Sequence, residues 1–143
     1  MTIIELIAAL EAATGPSREL DGWIYRMLYE PIWEPDIPED RKVLHCRCHA
    51  PGYTASLGAA LTAVPKGRFL FAAQEDRKRI IYKGDRHESL GTYTVVLQHV
   101  DGGRAQRGQG KTLAIALLIA VFKAGEKPGA TSTGPLSGRL SPV

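Results

Sequence analysis

One stretch governs what this chain can become: residues 112–124, T-L-A-I-A-L-L-I-A-V-F-K-A, apolar on every side. Wound as a helix, it carries Leu113, Leu117 and Val121 on one face and Ile115, Leu118, Ile119 and Phe122 on the others. That is the pattern of a helix enclosed by protein. Its roughly 10 to 12 apolar residues fall short of the ~20 needed to cross a bilayer, so the chain's own sheet and helices must bury it. A chain of 143 residues has room for one domain around such a helix, expected over residues 1–125, with no membrane partner.

Further helices are written in the first half. Over residues 2–14, Ile3, Leu6, Ile7, Leu10 and Ala13 recur at helical spacing, and Gly15 with Pro16 ends the run. Ser17 stands as an N-cap for a second helix striped by Leu20, Trp23, Ile24, Met27 and Leu28. Pro31, Pro35 and Pro38 then interleave with Trp33, Glu34, Asp36, Glu39 and Asp40, which predicts an acidic extended loop or lid over residues 31–40. Residues 43–49 read as a short edge strand or irregular segment. Thr54 or Ser56 caps a third helix with Leu57, Ala60, Leu61 and Val64 as its stripe, stopped by Pro65 and Gly67.

The hydrophobic period then shortens. Phe69 and Phe71 alternate with Leu70 and Ala72, and after a charged turn comes the run from Arg79 to Lys83, which together predict two antiparallel strands. Residues 84–91 read as a polar loop. Residues 92–100 form the longest strand, with Tyr93, Val95, Leu97 and His99 on one side and Val96 and Val100 on the other. A Gly- and Arg-rich loop over residues 101–111 leads into the apolar helix. The tail, residues 126–143, is dominated by Gly, Pro, Ser and Thr and is expected to be disordered. The fold class is therefore α/β of the α+β kind. An antiparallel sheet of three to four strands packs with helices, and the C-terminal helix lies innermost.

Two blocks carry a resemblance. L-I-A-A-L-E-A-A-T-G-P-S-R-E-L-D at residues 6–21 and Y-T-A-S-L-G-A-A-L-T-A-V-P at residues 53–65 resemble a group of small phage and prophage proteins of unknown function. The order of these blocks, with strands and an Ala- and Leu-rich helix following, is also similar to the phage-encoded αβα sandwich domain. The resemblance implies a phage-associated accessory protein and supplies no catalytic residue. The acidic proline loop and the Arg-rich loop depart from it, as do strands without tryptophan.

Three constellations bear on chemistry. In His45-Cys46-Arg47-Cys48-His49 soft and borderline ligands crowd together, yet Cys46 and Cys48 are one residue apart, too close for a C-x₂-C knuckle or an unstrained mutual disulfide. As a strand, the segment would put the cysteines on one face and the histidines on the opposite side, so no metal or other cofactor is expected and both thiols should be free. Free thiols suit a reducing cytoplasm. Residues 105–112, A-Q-R-G-Q-G-K-T, satisfy a relaxed phosphate-loop pattern that would make the protein a nucleotide-binding enzyme through Lys111 and Thr112. No later strand remains to supply an acidic magnesium ligand, which favours Thr112 as a helix cap instead.

The remaining candidates are surfaces. Trp33 and Ile37 are apolar anchors among acids, suited to an unknown protein partner or to self-association. Arg77, Lys78, Arg79, Arg104, Arg107 and Lys111 offer a basic face for nucleic acid, although Glu75, Asp76, Asp85 and Glu88 interrupt it. The net charge of +3 decides between neither. The sequence thus reads as a binding protein rather than an enzyme, acting on a protein partner, with nucleic-acid binding as the alternative.

Overall fold

The computed structural model describes residues 1–76, 80–83, 86–89 and 92–125. The element order is α1 (Ile3–Ala12), α2 (Arg18–Tyr29), a 3₁₀ turn (Glu30–Ile32), α3 (Glu39–His49), α4 (Leu57–Leu61), β1 (Arg68–Asp76), β2 (Ile80–Lys83), β3 (Arg86–Ser89), β4 (Thr92–His99), β5 (Gln106–Gly110) and α5 (Leu113–Ala124). This is the expected α+β mixture. The tail and Arg77, Lys78 and Arg79 lie outside the described residues.

Local chemistry sets most helix starts. Thr2 accepts from the Glu5 amide while the Glu5 carboxylate accepts from the Thr2 amide, a reciprocal capping box. Ser17 accepts from the amide of Leu20 at 3.2 Å, and Thr112 from that of Ile115 at 3.1 Å. Ser56 rather than Thr54 caps α4, accepting from the amide of Ala59 at 3.3 Å. Thr54 is bonded elsewhere. Its amide and hydroxyl both donate to the buried Asp21 carboxylate at 2.8 Å, tying the approach to α4 onto α2.

The core is α5. Residues 114 to 122 are all buried, and Leu6, Leu10, Ile24, Tyr53, Val95 and Leu97 close around them. Gly125, at φ 72°, ends the helix in the left-handed conformation that a Cβ would strain.

Beneath α5 lies a three-stranded antiparallel sheet in the order β1-β4-β5, and β2 pairs with β3 as a separate ribbon. The strand over residues 80–83 therefore does not pair with β1. Leu70 sits opposite Leu97, so β1 matches its apolar inward positions to those of β4 instead. The polar loop expected at residues 84–91 contains β3. The stretch expected to be a loop at residues 101–111 contains β5, paired from Gln106 opposite Leu97 to Gly110 opposite Tyr93.

Glycine explains how α5 seats on β5. A Cβ on Gly108 would fall 2.1 Å from the Ala116 carbonyl oxygen and 2.6 Å from the Ala120 nitrogen, and one on Gly110 would meet the Ala116 nitrogen at 3.0 Å. What looks in the sequence like a Gly- and Arg-rich loop is a strand with glycine at the two positions, 108 and 110, where a helix backbone approaches. On the other face of the sheet Phe69 and Phe71 stay exposed at 42% and 65%, two residues apart and so on the side of β1 opposite to Leu70.

Candidate functional site

The segment read from sequence as an edge strand is the helix α3, and the acidic loop ends where it begins. Pro38 sets an extended entry, Glu39 and Asp40 occupy the positive first turn, and Arg47 and His49 the negative last turn. Only Cys46 of this helix is buried, facing Gly22 of α2. Apolar burial alone would hold α3 weakly. Charged groups supply the remainder.

Arg26 of α2 donates from both terminal nitrogens to Glu39 at 2.6 Å and from Nε to Glu30 at 2.8 Å. Lys42 of α3 reaches back to Glu30 at 2.7 Å. The guanidinium also lies 5.4 Å above the Trp23 ring. This network joins three elements, and it holds the Glu30 carboxyl down at about 2, mainly through the hydrogen bonds from Arg26 and then Lys42. At the other end, Arg18 donates to the carbonyl oxygen of Arg47 in the last turn of α3 at 3.1 Å and to that of Pro51 just beyond the helix at 3.3 Å.

With its back fixed, α3 turns its outer face toward the 33–37 loop. Between them runs a groove of about 540 Å³ lined by Trp33 and Ile37 on one wall and by Arg41, Leu44, His45, Cys48 and His49 on the other. Trp33 stands edge-on to His45 with centroids 5.3 Å apart, Tyr25 lies 5.7 Å from the same imidazole, and His49 follows at 4.5 Å. Leu44 is 57% exposed, an apolar side chain with nothing covering it.

No protein-family model, curated protein or solved structure matches the chain. The site is therefore read from its own geometry. Trp33 and Ile37, picked out by their setting among prolines and acids, lie in one groove. A strand reading hides the remaining groove residues, although helical spacing from Arg41 through His45 to His49 is present in the sequence.

The basic candidates are not gathered there. Arg104, Arg107 and Lys111 are exposed around β5, with the Arg104 carbonyl accepting from Arg68 at 3.3 Å. Arg107 borders a shallow depression on the open sheet face with Phe71, Thr94, Val96 and Gln98. Of residues 105–112, expected to lie in a loop, Gln106–Gly110 is a paired strand whose Gly108 and Gly110 press against α5, and Thr112 caps that helix.

The two thiols differ. Cys46 is buried and Cys48 exposed, and burial pushes the Cys46 thiol up from its ordinary value. Among the described residues no helix is long and apolar enough to cross a membrane.

Proposed function

We propose that this chain is a non-catalytic binding module, a phage-associated accessory protein of the host cytoplasm that captures a protein partner in the groove between the 33–37 loop and α3. The observation that carries this reading is the convergence of Trp33, Ile37 and Leu44, from two separate segments, on one groove whose back wall is pinned by ion pairs. Preorganised aromatic and aliphatic anchors are what a short apolar segment needs, since fewer side chains must be ordered on binding. Arg41 at the rim makes no ion pair among the described residues and suits an acidic neighbour of the inserted side chain. The phage association rests on the resemblance of residues 6–21 and 53–65.

Cys48 offers the test. A photo-crosslinker attached to its exposed thiol should capture one partner in infected cells, with capture lost on Trp33→Ala/Leu44→Asp and the circular dichroism unchanged. Equal crosslinking by the double variant would remove the groove from the interaction.

A second reading is favoured by one observation. Phe69 and Phe71 stand edge to face at 6.4 Å on the open sheet face that also carries Arg107, an arrangement on which single-stranded bases stack. Fluorescence anisotropy with a labelled oligonucleotide decides it: salt-sensitive binding weakened by both Phe71→Ala and Arg107→Ala supports this reading, and no binding at low salt ends it.

A further inference from the structure

The helical form of residues 39–49 changes what the histidines and cysteines can do together. On a strand His45 and His49 would be two pleats apart. On α3 they are one turn apart, at the i, i+4 spacing by which two imidazoles on one helix face grip a single cation. Their rings already lie 4.5 Å apart at a tilt of 38°. Cys48 lies three residues after His45 on the same helix, is exposed, and lines the same groove.

Neighbours orient the first ligand. The Tyr25 hydroxyl is 3.4 Å from His45 Nε2, and Trp33 and Tyr25 flank the ring. In the tautomer that donates from Nε2 to Tyr25, the Nδ1 lone pair is left for a cation, the arrangement by which outer groups fix metal-ligating imidazoles. The ion pairs Arg26–Glu39 and Lys42–Glu30 hold the helix that carries both histidines. Charges near the groove oppose one another: Arg41 and Lys42 on its lining repel a dication, although Lys42 is paired with Glu30, whereas Glu34 and Asp36 in the facing loop are exposed and attract one.

We propose that His45 and His49 form a chelating pair for a divalent cation of the zinc class, with Cys48 turning in as a third donor and water completing the shell. Among the described residues no three His, Cys, Asp or Glu side chains already converge. The site therefore closes on metal arrival, through a rotamer change of the exposed Cys48 side chain. Imidazole with thiolate selects zinc-like ions over magnesium or calcium. The Cys48 thiol gives its proton to the buffer as the metal–sulfur bond forms. Cation binding here needs no protein partner.

The test uses the untagged full chain, reduced and stripped with chelator, titrated with Zn²⁺ by calorimetry and with Co²⁺ by absorption. The expected result is one ion per chain and, for Co²⁺, a thiolate charge-transfer band in the near ultraviolet. His49→Ala should weaken binding roughly tenfold or more by removing the chelating partner. Cys48→Ser should erase the charge-transfer band but retain one bound ion, and Cys46→Ser should change neither. No binding by the wild-type chain, or an affinity unaltered in His45→Ala/His49→Ala, would overturn the histidine pair. A thiolate band surviving Cys48→Ser would overturn the role of Cys48.

Discussion

Gly108 lies so close beneath Ala116 that a single methyl group on the glycine would sit 2.1 Å from the alanine's carbonyl oxygen. The obstacle is helix backbone, which cannot swing aside as a flexible side chain would. Gly108→Ala should therefore force α5 off β5 and destabilise the fold by about 3 kcal/mol or more, the upper range for overpacking. Gly22→Ala is the control: its added carbon meets only Cys46 Cβ at 3.8 Å, ordinary contact, and within α2 should stabilise by about 0.5–1 kcal/mol. Urea unfolding of both variants gives the comparison, and a neutral Gly108→Ala would contradict the close approach.

The bond pair from Thr54 to Asp21 makes a second prediction. Both groups are buried, and Asp21→Ala would leave the Thr54 amide without its acceptor, while the hydroxyl can still donate to the Ser17 carbonyl at 3.1 Å. The expected loss is about 1–3 kcal/mol, because a buried donor that loses its partner carries its full desolvation cost. A change below ~0.5 kcal/mol in denaturant melts would show that the tie is dispensable.

How much of this is legible in the sequence differs by element. α1, α2 and α4 are each announced by an apolar stripe, and α5 by a cap and a run apolar on every side, all of them local signals. α3 has neither a side-chain cap nor more than one buried residue, and Arg26 and Glu30 outside the helix hold it. β5 is equally hidden: Gln-Arg-Gly-Gln-Gly has little strand preference, and its glycines make sense only once α5 lies across them. For the site, Trp33 and Ile37 stand out as apolar residues among prolines, but the opposite wall depends on recognising α3.

Acid should weaken α3 first. Glu30 is held at about 2, against 4.5 for an ordinary glutamate, by Arg26 and then Lys42. A folded-state value below the unfolded one means that its contribution is fully present above pH ~4.5 and is lost as the pH falls toward ~2. Glu39 is lowered in the same sense by the hydrogen bonds from Arg26. The stability difference between wild type and Glu30→Gln should therefore shrink across this window. A difference independent of pH would contradict the ion-pair account of α3.

Thiol reactivity should separate the two cysteines. Cys48 is exposed and Cys46 buried with its thiol pushed up, so a maleimide should label one site per folded chain and two after denaturation. Peptide mapping that found Cys46 modified in the folded protein would contradict the packing of α3 on α2.

The central claim is that Trp33 and Ile37 anchor a protein partner in the groove beside α3. Its most direct measurement is the equilibrium affinity of the crosslinked partner for wild type and for Trp33→Ala and Ile37→Ala, each checked for unchanged melting temperature. Trp33→Ala should cost about 2 kcal/mol or more, roughly thirtyfold in Kd, and Ile37→Ala about 1 kcal/mol, as expected for an aromatic hot spot and its aliphatic neighbour. Affinities within about twofold of wild type for both variants would contradict the claim.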